Sequence, residues 1–160
     1  MSLQNMFNAN LLNTAIAIGT DYMVSGFFNI TGEVRFGGAL ASAPGIGGGI
    51  SSKKFHAGLV GLTQFFGENI RAVIQKWVPV GARAQAVEQA LLGPLGNAAI
   101  IGGFYWAANN SPMIGQYINL SSDDFQPTTA ALGALTSSTL SHQGTRVLYP
   151  IITGKPAAGL

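Results

Sequence analysis

The chain has 160 residues, of which 9% are charged against about 25% in ordinary soluble domains, and its net charge is only +2. That length holds one domain with a real core. The scattered basic residues exclude the dense basic stripe of a nucleic-acid surface, and the absence of cysteine excludes disulfides, thiolate metal sites and a cysteine nucleophile.

Glycine accounts for 22 of the 160 residues, about twice its usual share of roughly 7%. Small and uncharged polar residues therefore replace the missing charge, and a surface built that way solvates poorly. The expectation is a chain with much of its surface against lipid, other subunits or both, rather than a soluble monomer with a polar, uncharged coat. The first residues, "MSLQNMFNANLLNTAIAIG", lack the basic start of a secretory signal and the arginines of a transit peptide. No cleavable signal peptide is recognised, so any address is internal or supplied by a partner.

From Asn10, which reads as an N-cap, residues 10–28 form the first helical segment, with Leu11, Leu12, Ala15, Ile16, Ile18, Tyr22 and Met23. It is long enough for a short span, but Asn13 and Asp21 make insertion costly. Gly26 and "NITGE" end it. Residues 36–52, "FGGALASAPGIGGGISS", read as a Gly-rich connector. The pattern from Gly45 and Gly47 fails as a phosphate loop at Ile50, with no Gly-Lys-Ser/Thr following.

Residues 55–77 carry the clearest period. Phe55, Leu59, Leu62, Phe66, Ile70, Val73 and Trp77 are spaced 4, 3, 4, 4, 3 and 4, one continuous amphipathic seam. Gln64, Glu68, Arg71, Gln75 and Lys76 fall largely off it, and Glu68 reaches Arg71 one turn on. Such a helix either packs its seam on a core or lies at a membrane interface. Glu68, Arg71 and Lys76 within nine residues argue against a span bathed in lipid. Pro79 stops it.

The third helical segment covers 83–108, with Pro94 as a kink or break. No charge occurs from Gln89 to Ser122, and Tyr105 and Trp106 stand where an aromatic belt would. The leucines and isoleucines contribute only about −0.3 to −0.6 kcal/mol each to insertion, while the glycines, Pro94 and Asn97 oppose it, so alone the segment is marginal. Its small residues point to packing instead. Gly93, Pro94, Ala98, Ala99, Gly102, Gly103 and Ala107 place small side chains one turn apart on overlapping faces, where another backbone can approach closely.

After Asn110 the chain turns Ser/Thr-rich. Thr128 could begin a short helix through Ala130, Leu132, Leu135 and Leu140, and "TRVLYPIITG" reads as extended around Pro150.

The chemical inventory is thin. His56 and His142 are isolated and fit no spaced ligand set, and His56 reads as a cap or surface residue. Asp123 and Asp124 read as a turn or cap, and no Gly-x-Ser-x-Gly elbow occurs. The run "EQALLGP" is similar to an acidic-Gln-x4-Pro element of small organelle membrane proteins, but that family's aromatic and Trp-Pro elements are missing after Asn110, and no family is assigned.

The expected fold is mainly α: two to three packed helices, membrane-embedded or membrane-apposed, with a Gly-rich connector and an extended C-terminal arm. Residues 1–110 would be the helical core or membrane region, and 111–160 an arm docking on neighbours. The expected function is a non-enzymatic structural subunit of a large membrane-associated assembly, such as a virion with an internal membrane or an organelle membrane complex. Its partners would be other subunits and a lipid bilayer, with no cofactor, nucleic acid or small-molecule substrate. The first alternative is a small pore or carrier using Asp21, Glu68, Arg71 or Glu88. The second is a soluble, self-assembling coat or scaffold protein.

Overall fold

The computed structural model describes residues 2–28, 30–45, 47–78, 81, 84, 93–120 and 126–157. Glu88, the acidic-Gln run up to Leu92, and Asp123-Asp124 lie outside the described residues.

Helix α1 runs Leu3–Val24, starting well before Asn10 because the Ser2 side chain accepts from the Asn5 amide and caps it. It ends where Ser25 donates to the Tyr22 carbonyl and a 3-10 turn, Ser25–Phe28, follows. Helix α2, Ser52–Trp77, is capped in the same way by Ser51, which accepts from the Lys54 amide. Pro94 is the break expected in the third helical segment, of which residues 85–92 lie outside the described residues. It starts α3, Pro94–Asn110, at a position where a missing N–H costs nothing. A single-turn α4, Pro112–Gly115, follows.

The C-terminal arm is the expectation that fails. Residues Pro127–Thr153 form α5, the longest helix of the described chain, and it packs inside the same bundle as α1, α2 and α3. Ser and Thr weaken a helix where their hydroxyls compete for its backbone. Here they turn back onto their own helix. Thr136, Thr139 and Thr153 each donate to the carbonyl four residues earlier, and the hydroxyls of Ser137 and Thr145 lie within hydrogen-bond distance of theirs. Pro150 falls in the last turns, and Gly154, at φ +69°, closes the helix in the left-handed region.

The Gly-rich connector is partly ordered as well. Strand β1 (Glu33–Phe36) pairs antiparallel with β2 (Ile50–Ser51) and with β3 (Ile118–Leu120), giving the order β2-β1-β3. Val34 faces Ile50 on one side and Leu120 on the other. Strands this short give no readable period in sequence. Their effect is to tie the exit of α1, the entry of α2 and the exit of α3 together at one end of the bundle.

The four long helices alternate in direction. Asp21 near the end of α1 meets His56 near the start of α2, and Asn10 meets Asn69 towards the opposite end. Asn97 of α3 meets Thr63 of α2 and Ser138 of α5. At the sheet end Ala17, Ile30, Val60, Ile101, Tyr105, Ala130 and Ala134 form an apolar core, flanked by Phe28, Phe55, Leu59, Phe104 and Leu120. Further along the bundle, among the described residues, Ala9 and Tyr149 form a second, small apolar cluster, with Leu12 and Ala157 against it.

Close approach of α1 and α2 fixes one glycine. A Cβ added at Gly61 would lie 2.4 Å from Ile18 Cγ1, whereas one added at Gly58, a turn earlier, meets nothing within 4 Å. Gly61→Ala should therefore lower stability by about 1–3 kcal/mol through overpacking. Gly58→Ala should raise it by about 0.5–1 kcal/mol through helix propensity. Equilibrium denaturation of the two variants side by side checks both signs.

Candidate functional site

The interior between the helices is polar along most of its length. The buried positions of α1 include Asn5, Asn10, Asn13 and Asp21; those of α2 include Ser52, His56, Gln64, Glu68 and Arg71; those of α5 include Ser137, Ser138, Ser141, His142 and Thr145. They meet as a spine that follows one face of α5 from Ala130 to Tyr149, about 28 Å at 1.5 Å per residue.

At the sheet end, His56 Nδ1 lies 2.5 Å from Asp21 Oδ2 and Nε2 lies 2.9 Å from the Ala130 carbonyl. Ser137 donates to Asp21 Oδ1 at 2.6 Å. In the middle, Asn97 donates to Ser138, Ser138 to Gln64 Oε1, and Gln64 Nε2 to Ser141. Thr145 donates to Asn13 Oδ1. Farther along, Glu68 accepts from Arg71 and sits 2.8 Å from His142 Nε2, whose Nδ1 is 2.6 Å from the Ser138 carbonyl. Asn10 donates to Asn69, and Tyr149 donates to Asn5 at the far end.

The two histidines share a design. Each ring has a carboxylate at one nitrogen and a backbone carbonyl at the other, and both partners are acceptors. Each ring is thereby fixed at both nitrogens, by a side chain from another helix and by a main-chain carbonyl.

Ser137, His56 and Asp21 do not form a nucleophilic relay. The serine donates to the aspartate, and the two ring nitrogens face the aspartate and a carbonyl, so the base that should activate the hydroxyl does not face it. All three side chains are fully buried. Among the described residues no group of three or more His, Asp or Glu is arranged to hold a metal ion. What this arrangement does is fix helix register and rotation: Asp21, His56 and Ser137 come from three different helices.

The outside is the complement of the inside. Of the α2 seam, Phe55 and Leu59 pack half-buried on the apolar core. Leu62, Phe66, Ile70, Val73 and Trp77 face outward, 53%, 55%, 58%, 39% and 80% exposed. The off-seam polar residues Gln64, Glu68 and Arg71 are the ones inside. His56, expected as a cap or surface residue, is buried for the same reason. Exposed large apolar residues continue around the bundle: Leu11, Ile18, Tyr22 and Met23 on α1, Leu95, Ile100 and Trp106 on α3, Leu132, Leu140, Val147, Leu148, Ile151 and Ile152 on α5. In ordinary globular proteins these residue types fill the interior.

The small residues of α3 divide between faces. Gly93 and Ala98 are buried, and a Cβ at Gly102 would come within 3.0 Å of Ala131 Cβ on α5, so Ala98-x-x-x-Gly102 is an intramolecular seam. Ala99 and Gly103 face outward, with nothing within 4 Å of a Cβ at Gly103, while Pro94 and Ala107 are half-buried.

The signal for the spine was in the sequence as a second stripe. Ala134, Ser137, Ser138, Ser141, His142, Thr145 and Tyr149 recur at helical spacing, and Asn13, Ala17 and Asp21 do likewise. No helix of the described chain is long and apolar enough to cross a membrane. Compared with known proteins, the chain matches no family model, no curated protein and no solved structure.

Proposed function

We propose that this chain is a non-enzymatic structural subunit of a large membrane-associated assembly, of the kind found in a virion with an internal membrane or an organelle membrane complex. The observation that carries the reading is the inversion: a hydrogen-bonded polar spine inside and large apolar side chains outside. Polar groups buried in a bundle that faces lipid pair with one another, and the lipid-facing side chains carry the apolar surface.

Mean hydropathy of a helix averages both faces, and the inward Gln64, Glu68 and Arg71 lower it for α2 although lipid would not meet them. Its outward face carries only glycine and apolar residues between Lys54 and Lys76. Those lysines are 22 residues apart, about 33 Å of helix, close to the roughly 30 Å of a bilayer core. Trp77 beside Lys76, and Tyr22 near Lys54 across the α1–α2 groove, are the aromatic neighbours expected at the two interfaces.

A small pore remains the first alternative because Asp21, Glu68 and Arg71 lie in the interior, but each is held in an ion pair or hydrogen bond there. A soluble coat protein would bury the outer face against copies of itself. Alkaline carbonate extraction separates the readings: the full chain should stay with the membrane pellet. Clean release as a soluble species overturns the proposal.

A further inference from the structure

We propose that the groove between α1 and α2 at the sheet end binds one anionic phospholipid, its acyl chain along the groove and its phosphate at Lys54; the inference rests on the membrane reading above. The groove, about 540 Å³, is formed by Ile18, Gly19, Tyr22 and Met23 of α1 and by Lys54 and Gly58 of α2. That volume lies within the roughly 300–1,000 Å³ of small-molecule sites.

The groove is open at two exposed glycines that folding does not require. A Cβ at Gly19 or Gly58 would meet nothing within 4 Å, and neither has the positive φ that would call for glycine. Each glycine in a helix interior costs about 0.5–1 kcal/mol relative to alanine, so both positions give up stability and leave space. Gly61, one turn along, is different: there Ile18 fills the space a side chain would need.

Charge decides which lipid. The rim residue Lys54 is exposed and makes no ion pair with a described carboxylate, and Lys53 precedes it. A second groove on the same pair of helices, lined by Phe7, Phe66, Asn69, Ile70, Val73 and Ile74, contains no basic residue. The two grooves thus share apolar walls but differ in their means of holding a phosphate. A neighbouring protein helix could also approach the glycines, but the exposed apolar residues encircle the bundle on all four long helices. Lipid surrounds such a surface on every side, whereas a partner helix covers one face.

The test uses the full chain purified in a non-denaturing detergent, with dioleoyl phosphatidylglycerol and phosphatidylcholine offered in equal amounts and adducts counted by native mass spectrometry. Wild type should retain one phosphatidylglycerol in about fivefold preference, the ratio expected from one lysine near an anionic headgroup. Lys54→Gln should abolish the preference and keep acyl binding. Gly58→Leu should reduce binding of both lipids, with Gly19→Leu as the second variant should Gly58→Leu fail to fold. Equal adducts of the two lipids, no effect of filling the groove, or a dimer that Gly58→Leu dissolves would overturn the proposal. Flotation of the wild type with purely phosphatidylcholine vesicles tests the membrane reading separately. Flotation with unchanged adducts defeats the groove alone, while failure to float defeats the reading beneath it.

Discussion

Glu68→Leu should lower the free energy of unfolding by about 3–5 kcal/mol, the cost of leaving a buried charge without its partner. Glu68 is 2% exposed and accepts from Arg71 on its own helix and His142 of α5. Without the carboxylate, the buried Arg71 guanidinium and the His142 imidazole each lose one partner. The loss is specific to breaking the set. Replacing all three residues with apolar groups of similar size, as in E68L/R71M/H142L, should recover most of it, since buried ion pairs often contribute little net stability relative to such groups. Denaturant titration in the medium of purification, followed by circular dichroism, reads both variants. A single-variant loss below about 1 kcal/mol would mean that Glu68 is solvated, because exposed pairs contribute at most about that much.

Phe66→Lys should act oppositely. Phe66 is 55% exposed and lies midway between Lys54 and Lys76 on the outward face of α2. Its replacement leaves the polar spine untouched, so thermal unfolding in detergent should change little. A lysine at the centre of a bilayer costs roughly 2.5–3.5 kcal/mol in insertion. The carbonate-resistant fraction should therefore fall steeply, with helix content unchanged. An unchanged pellet fraction would place Phe66 away from the bilayer core.

The two predictions differ because sequence period reveals a stripe without saying which side is inside. The spacing from Phe55 to Trp77 marked α2 correctly, but an amphipathic helix can bury either face. The choice depends on whether the polar face finds partners. Those partners are distant in sequence: Asp21 and His56 are separated by 35 residues, Glu68 and His142 by 74. Nothing local to α2 announces them.

The full length of α5 is hidden in the sequence for a related reason. Serine and threonine weaken a helix when their hydroxyls compete for its backbone. In α5 they bond to the carbonyl four residues earlier or face polar partners on α1 and α2. Pro94 was legible as a break but not as a start. The sheet escaped detection because strands of two to four residues show no alternation. Among the small residues of α3, Ala98 and Gly102 lie on a face that packs within the chain.

The proposed membrane reading sets the outward face of α2 against lipid, while its polar face packs on α1 and α5. The absence of cysteine makes site-directed spin labelling direct. Single nitroxides introduced as Lys54→Cys, Leu62→Cys, Phe66→Cys, Ile70→Cys and Lys76→Cys, in the full chain reconstituted into vesicles, report collisions with oxygen and with a water-soluble nickel chelate. The account predicts high oxygen and low nickel accessibility at 62, 66 and 70, deepest at 66, with nickel accessibility rising at 54 and 76. Nickel accessibility at the three central positions equal to that at the ends, or low accessibility to both reagents there, would contradict it.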